Sequence, residues 1–214
     1  MPVAVVTDST AYLPPDLAGT LTTVPLTVVL GSRQGREGIE ITAADVAGAL
    51  RANVQPVTTS RPAPAEFLAV YRRLLDEGFA GVLSVHLSAS LSGTVAAATL
   101  AAERFPGRVR VVDAGSVGMG LGFAALAAVA SAAAGDPLTA VHAAAVAAVT
   151  RTTTLFCVDT LEHLRRGGRI GAAATLLGTA LAVKPILRVT GAGIVVSDRA
   201  RTGSRALARL VDLA

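Results

Sequence analysis

The feature that most constrains this fold is a series of short, continuous runs of β-branched and aliphatic residues that alternate with alanine-rich helical patterns. The apolar runs lie at residues 3–7, 23–30, 82–86, 109–112 and 154–158. Apolar runs without polar alternation are typical of strands that are covered on both faces. The helical patterns lie at residues 43–51, 64–77, 94–104, 117–134 and 137–150. This alternation predicts an α/β fold, with a mainly parallel sheet sandwiched by helices.

The pattern changes after Thr150, which predicts a first α/β domain at residues 1–150 and a second region at residues 151–214. The predicted elements of the second region are helices at residues 161–166, 170–180 and 204–213, and a hairpin of strands at residues 185–189 and 193–197. We expect this region to be the start of a smaller α+β domain that is too short to close its own core.

Composition indicates what the core is made of and argues against nucleic-acid-binding and membrane-spanning proteins. Of the 214 residues, 52% are hydrophobic but only 3% are aromatic, so the interior must be built from Ala, Val and Leu. The formal charge is +4, but the arginines are scattered and no basic-aromatic platform is present, which argues against a nucleic-acid partner. The single cysteine, Cys157, favours a reducing, cytoplasmic compartment. The uncharged residues 115–135 are mostly small, which favours a packed helix over a membrane span.

A hydroxyl-rich loop, residues 88–94, is the strongest candidate for a binding site. It reads Ser88-Ala89-Ser90-Leu91-Ser92-Gly93-Thr94 and lies between a predicted strand and a predicted helix. Unpaired backbone N–H groups and the positive end of the helix dipole favour an anion there, and small residues allow it to approach. The alternative is that Ser92 simply caps the helix.

Two further polar segments follow strands or precede helices. Asp8-Ser9-Thr10 follows the first strand, where these residues are suited to binding a metal, touching a ligand or ordering the loop; loop ordering by Asp8 and Ser9 is the favoured role. Thr59 and Ser60 form a second hydroxyl cluster before a helix, for which capping is again the alternative. We expect the polar loops at strand carboxyl ends to converge on one crevice.

Motifs for catalysis are absent from the sequence. His86, His142 and His163 lack metal-ligand spacing, and neither a nucleophile elbow nor a phosphate-binding P-loop is present. The glycines at 118, 120 and 122 partly match a dinucleotide fingerprint, but no acidic residue follows at the right place, so we interpret them as allowing close helix packing. The chain is suited to holding a ligand rather than transforming it.

One dense basic element, Arg165-Arg166-Gly167-Gly168-Arg169, has two interpretations. Cations near a helix C-terminus are favourable, so it is consistent with a solvated helix end. Three arginines around a glycine pair are also suited to an acidic partner or a phosphate.

Taken together, these segments resemble the DegV family of bacterial fatty-acid-binding proteins, in order along essentially the whole chain. The matching motifs are Asp8-Ser9-Thr10-Ala11-Tyr12-Leu13-Pro14, Thr59-Ser60-Arg61-Pro62, Leu91-Ser92-Gly93-Thr94, Leu161-Glu162-His163-Leu164-Arg165-Arg166-Gly167-Gly168-Arg169-Ile170-Gly171 and Lys184-Pro185-Ile186-Leu187.

The resemblance implies an acyl chain in a tunnel between the two domains, with its carboxylate held by the hydroxyls of Thr59 and Ser92. Ser60, Gly93 and Thr94 would lie near it. It also implies a carrier without cofactor or catalytic residues, the acyl-binding subunit of a fatty-acid kinase. An ATP-binding partner would make the acyl-phosphate, and Arg165, Arg166 and Arg169 would lie at the docking surface.

Some residues depart from the family pattern. Tyr12 stands where an acidic or polar residue is usual, Ala89 replaces a common serine, and Arg61 replaces a common glutamine. Members of the family usually run some tens of residues longer, so we expect a fragment or shortened form whose pocket is open on one side. The alternatives to a carrier are an enzyme of sugar or nucleotide chemistry, a small-anion or sugar-phosphate binding protein, and an interaction module that has lost lipid binding.

Overall fold

The computed structural model describes residues 2–52, 56–176 and 183–213. The strands are β1 (Val3–Asp8), β2 (Thr22–Val24), β3 (Thr27–Leu30), β4 (Arg33–Arg36), β5 (Val57–Ser60), β6 (Gly81–His86), β7 (Val109–Asp113), β8 (Thr154–Cys157), β9 (Lys184–Thr190) and β10 (Gly193–Ala200). The α-helices are α1 (Pro15–Ala18), α2 (Ala43–Ala52), α3 (Pro64–Asp76), α4 (Thr94–Ala102), α5 (Met119–Ala133), α6 (Leu138–Arg151), α7 (Glu162–Arg166) and α8 (Gly203–Leu213).

The central sheet has the strand order β2-β1-β6-β7, and all of its strands are parallel. Alternate residues of β1 face opposite sides: Val3 and Val5 pack against α5 and α6, whereas Ala4 and Val6 pack against α3 and α4. Every residue of β1 and β6 is buried. The prediction of a mainly parallel sheet sandwiched by helices is therefore confirmed.

The uncharged segment at residues 115–135 forms α5, whose buried face consists of small residues and Leu121. These residues pack α5 tightly against the sheet and α6, as the composition predicted. Within the described residues, none of the helices has the length and apolar character needed to cross a bilayer.

The single strand predicted at residues 23–30 is wrong. β2 ends at Val24 and β3 begins at Thr27, because Pro25 has no N–H to donate to a sheet ladder. β3 then joins a different, antiparallel sheet with the order β4-β3-β5. β4 and β5 have no counterpart among the predicted strands, because they are polar and lie at the edges of this small sheet. β5 is the strand that carries Thr59 and Ser60.

The predicted hairpin is confirmed as β9 and β10, which pair with β8 in a third, antiparallel sheet of order β10-β9-β8. This sheet and helices α7 and α8 form the smaller α+β part of the fold. Of the helix predicted at residues 170–180, Gly171–Leu176 forms a 3₁₀ helix, and residues 177–180 lie outside the described residues. The domain boundary at residue 150 stays a prediction.

Candidate functional site

The polar loops at the carboxyl ends of β1, β6 and β7 are bonded to one another. Ser88 N donates to the carbonyl of Ser116 at 2.8 Å, which ties the 88–94 loop to the segment after β7. Gly118 N donates to the carbonyl of Thr10, also at 2.8 Å, which ties that segment to the loop after β1. The three loops therefore share one edge of the parallel sheet, as expected for strands that end at the same side.

Asp8 is fully buried and orders two of these loops. Its carboxylate accepts hydrogen bonds from Thr10 N at 3.0 Å, Thr10 Oγ1 at 2.6 Å and Leu87 N at 3.0 Å. Ser9 acts beside it: its hydroxyl donates to Glu37 at 2.6 Å and accepts from Leu26 N at 3.0 Å. These bonds join the loop after β1 to β6 on one side and to the small sheet on the other.

A buried polar chain below the loops was missed by the sequence analysis. Tyr71 Oη lies 2.8 Å from Ser84 Oγ, which lies 2.7 Å from His86 Nε2, and His86 Nδ1 lies 3.0 Å from the Asp8 carboxylate. A carboxylate only accepts, so His86 donates to Asp8 from Nδ1. In the tautomer with its one ring proton on Nδ1, Nε2 accepts from Ser84, which in turn accepts from Tyr71. The order Ser-His-Asp matches that of a hydrolase triad, but all three side chains are inaccessible to a substrate. The chain is structural.

Ser92 does not cap helix α4, so that interpretation is wrong. The N-cap is Gly93, and the helix has no side-chain cap hydrogen bond. The reason is a tight turn in which Leu91 N and Ser92 N both bond to the carbonyl of Ser88, which places Ser92 one residue before the cap. The half-buried hydroxyl of Ser92 instead lies 2.9 Å from Oγ1 of the buried Thr94. The backbone N–H groups of the first turn of α4 remain available to a ligand.

Arg61 brings the β5 segment to the same loop. Its guanidinium covers Gly93: a Cβ atom placed on Gly93 would lie 2.8 Å from Arg61 Nη1 and 3.0 Å from its Cδ. Thr59 and Ser60 are the last two residues of β5, directly before Arg61, and both are exposed. The backbone of Thr59 pairs with that of Val28 in β3. The two hydroxyl segments implied by the resemblance are therefore neighbours in the structure.

The arginine-rich turn after α7 also reaches this loop. Arg169 donates from Nε to the carbonyl of Leu91 at 3.0 Å, and Ser90 Oγ donates to the carbonyl of Thr190 at 3.3 Å. Arg165 and Arg166 are exposed on α7 and pair with Glu162, with contacts of 2.5 and 2.9 Å. The hydrogen bond from Arg165, with a further contribution from Arg166, lowers the pKa of Glu162 to about 2. Of the three arginines, only Arg169 is bonded to the loop in the described bonds.

An apolar cavity of about 590 Å³ opens beside Leu91 and Arg169. Its size is typical of a small-molecule site. Its walls are the start of α5, strand β8 with the residues before it, and single residues of α7, β9 and β10; they include Leu91, Val117, Met119, Phe123, Phe156 and Ile194. A neighbouring cavity of about 610 Å³ shares Phe123, Thr152, Thr153 and Leu155 with it and continues to α8. The apolar cavity therefore lies between the start of α5 and the third sheet, next to the hydroxyl loop.

Gly120 forms part of the cavity wall and is needed for close packing. A Cβ atom at this position would collide with the hydroxyls of Ser116 and Thr154, which are hydrogen-bonded to each other. Gly122 is similarly close to the carbonyl of Ala11 and to Met119. The interpretation of the glycines as packing residues agrees with these contacts for Gly120 and Gly122. It does not hold for Gly118, which meets no neighbour within 4 Å and instead has φ +63°, a conformation that favours glycine, at the start of α5. In the part of the chain that the structure describes, no three His, Cys, Asp or Glu side chains lie close enough together to hold a metal ion.

The fold and the site define a class of α/β proteins in which a hydroxyl-rich loop lies beside an apolar cavity between a helix and a small antiparallel sheet. The chain belongs to the DegV family: the model described as "Uncharacterised protein, DegV family" matches residues 2–214. The DegV domain-containing protein SCO2569 of Streptomyces coelicolor is 51% identical over 214 residues, which are 99% of this chain and 76% of that relative.

Two solved structures extend the similarity to three dimensions. A DegV-family protein from Thermus thermophilus, described by its fatty-acid binding, is 40% identical with a TM-score of 0.91; the match covers all of this chain and 76% of that one. DegV from Bacillus subtilis, described as a fatty-acid-binding protein, is 32% identical with a TM-score of 0.88 and is covered to 77%.

Proposed function

We propose that the protein binds a long-chain fatty acid, with the carboxylate at the 88–94 loop and the acyl chain in the apolar cavity. The observation that carries this proposal is that the cavity and the hydroxyl loop meet at Leu91. This residue belongs to the loop and lines the cavity, and the next residue is Ser92. Two relatives of the same fold are described as fatty-acid-binding proteins, which supports the choice of ligand.

The chemistry of the loop fits a carboxylate. In the proposal, Thr59 and Ser92 donate hydroxyl hydrogen bonds to it, while Ser60, Gly93 and Thr94 lie near. The first turn of α4 has no side-chain cap, so its N–H groups and the helix dipole add a positive potential. Hydroxyl donors bind an anion without the desolvation cost of a buried charge, so the ligand can also be released.

The acyl chain provides most of the binding free energy. Burying a methylene group stabilises the complex by about 0.8 kcal/mol, so a chain of many methylenes outweighs a few hydrogen bonds. Most of the residues that line the cavity are Leu, Val, Ile, Met or Phe, whose side chains can pack against an acyl chain; the polar lining residues are Thr152, Thr153, Thr154 and Arg169.

We further propose that the protein is a non-catalytic cytoplasmic carrier that presents the carboxylate to an ATP-dependent kinase partner, which forms the acyl-phosphate. The burial of the Ser-His-Asp chain supports this role, because a substrate cannot reach these side chains. Arg165 and Arg166 are exposed on α7, close to Arg169 and the loop, where an acidic surface of the partner can reach them.

The decisive experiment is to extract the purified protein with organic solvent and identify bound acids by mass spectrometry. Delipidated protein is then titrated with palmitate and oleate, and with hexadecanol and glucose 6-phosphate as comparisons. We expect a co-purified long-chain acid and saturable uptake of palmitate. Folded, lipid-free protein that takes up neither acid would overturn the proposal; binding of the sugar phosphate alone would favour a small-anion protein instead.

A further inference from the structure

We propose that Arg61 gives the carboxylate-binding loop a formal positive charge, so that this chain selects its ligand by charge as well as by hydrogen bonding. This inference rests on the proposed fatty-acid binding and names a specificity-determining residue of that same site. The hydroxyls of Thr59 and Ser92 can bond to an acid or an alcohol alike, whereas a guanidinium discriminates between them.

The position of Arg61 is determined by close contact with the loop. Its Nη1, Cδ and Cζ atoms lie 2.8, 3.0 and 3.3 Å from the place where a Cβ atom of Gly93 would be. Gly93 has φ −76° and ψ 15°, a conformation open to any residue, so its backbone does not require glycine. What glycine provides is room for the guanidinium directly against the residue between Ser92 and Thr94.

The guanidinium of Arg61 pairs with no carboxylate of the residues that the structure describes. Within the described ranges, Arg61 makes no hydrogen bond or ion pair, whereas Arg33, Arg73 and Arg209 each pair with a carboxylate. The nearest acidic residue along the following helix, Glu66, instead accepts a hydrogen bond from Ala63 N at 2.7 Å. The charge of Arg61 is therefore available to a ligand.

Its location also matters electrostatically. Arg61 lies at the N-terminus of α4, where the helix dipole is positive and a cation is unfavourable. The positive end of the helix dipole and the guanidinium repel each other, but both attract a carboxylate that lies between them. A guanidinium offers several N–H donors in one plane, so it can bond to the carboxylate while Ser92 bonds to the other oxygen.

The exposure of Arg61 sets the size of the effect. An exposed charge pair is weak and is screened by salt, in contrast to a buried one. Arg61 therefore adds selectivity and salt dependence to the site without holding the acid irreversibly. The acyl chain keeps its dominant share of the affinity.

The test compares Arg61→Gln with wild type and with Arg104→Gln, an exposed arginine beyond the opposite end of α4. Palmitate and hexadecanol are titrated into each delipidated protein at low and high NaCl, after circular dichroism has shown that the variants fold. We expect Arg61→Gln to weaken palmitate binding by about fivefold at low salt and to leave hexadecanol binding unchanged. The difference should shrink to about twofold or less near 0.5 M NaCl, where charges are screened beyond about 4 Å. Arg104→Gln should match wild type throughout.

Unchanged palmitate binding by Arg61→Gln, or an equal loss for palmitate and hexadecanol, overturns the role of Arg61 while leaving the proposed function intact. Failure of the wild-type protein to bind palmitate at all rejects the proposed function and, with it, this inference. A salt-independent affinity of the wild-type protein for palmitate also contradicts a charged site, and that result needs no variant.

Discussion

Arg169 Nε donates a hydrogen bond to the backbone carbonyl of Leu91 across 3.0 Å, although 78 residues separate them in sequence. The preceding Gly168 has φ +70°, a conformation that glycine adopts without strain and that turns the chain back after α7. Arg169 N in turn donates to the carbonyl of Leu164 at 2.9 Å. The arginine-rich turn therefore fixes the position of Leu91, the residue at which the cavity and the hydroxyl loop meet.

We expect Arg169→Gln to loosen this loop without unfolding the protein. The bond is exposed, so its loss should cost about 1 kcal/mol or less of stability. Hydrogen exchange at Leu91 and Ser92 should become faster, and palmitate affinity should fall because the carboxylate ligands are less well positioned.

Arg165→Gln is the matched control, since the described bonds of Arg165 join it to Glu162 on its own helix. It should leave exchange in the loop unchanged. If Arg169→Gln also leaves hydrogen exchange at Leu91 and Ser92 unchanged, but lowers acyl-phosphate formation by the proposed kinase partner, then Arg169 contributes to docking and not to loop positioning.

Ser92→Ala separates ligand binding from helix capping. Because Gly93 is the N-cap, removal of the Ser92 hydroxyl costs the helix no cap. The loss of its bond to the buried Thr94 should lower the free energy of unfolding by about 1 kcal/mol. Palmitate binding should weaken by about 1–3 kcal/mol, the value of a hydrogen bond to a charged group. Urea denaturation and calorimetric titration measure the two quantities.

Ser90→Ala is the control within the same loop, since its hydroxyl bonds to Ser88 and Thr190 and not toward Thr94. It should bind palmitate within about twofold of wild type. A large loss of stability in Ser92→Ala, with unchanged affinity, would falsify the assignment of Ser92 as a carboxylate ligand.

Asp8→Asn tests the buried support of the loops. The Asp8 carboxylate accepts hydrogen bonds from Thr10, His86 and Leu87. In the variant one of its oxygens becomes an NH₂ group, which would face these N–H donors and could not accept from them. We expect a loss of about 3 kcal/mol in the free energy of unfolding, because buried hydrogen bonds to a charged group are lost and the amide N–H groups are left without acceptors. Asp76→Asn, an exposed change at the end of α3, should stay within about 0.5 kcal/mol of wild type in the same urea titration. Equal stabilities of the two variants would contradict a supporting role for Asp8.

The sequence predicted the elements whose burial is visible in local pattern. β1 and β6 are buried on both faces, so they appear as uninterrupted apolar runs. β5 lies at the edge of a small sheet and has exposed threonines and a serine, so its residues match those of a polar loop. The strand exists because of its pairing with β3, which local pattern does not reveal.

The candidate site shows the same division. The hydroxyls of Thr59 and Ser92 were found through motifs, and their segments are brought together by the contact of Arg61 with Gly93, 32 residues apart in sequence. No periodicity signals such a contact, because it depends on how two sheets pack. The buried bond from His86 to Asp8 joins residues 78 apart in sequence. The one local sign of it is that Ser84 and His86, two residues apart, lie on the same face of the apolar strand β6.

Gly120→Ala tests the assignment of the cavity. The added methyl group would collide with the hydroxyls of Ser116 and Thr154, so these side chains must turn away and lose their mutual hydrogen bond, or β8 must shift from the start of α5. We expect a loss of about 1–3 kcal/mol in the free energy of unfolding from overpacking. Palmitate affinity should also fall, because α5 and β8 form facing walls of the cavity.

Gly48→Ala is the control for this change, since a Cβ atom at Gly48 in α2 meets no neighbour within 4 Å. It should stabilise the protein by up to about 1 kcal/mol, because alanine favours the helix over glycine. Both variants are compared by urea denaturation and by titration with palmitate and with shorter acids. If Gly120→Ala is destabilised yet binds palmitate as wild type does, the acyl chain does not lie against α5 and β8, and the cavity must be assigned elsewhere. Loss of affinity that grows with acyl-chain length would instead place the methyl group along the path of the chain.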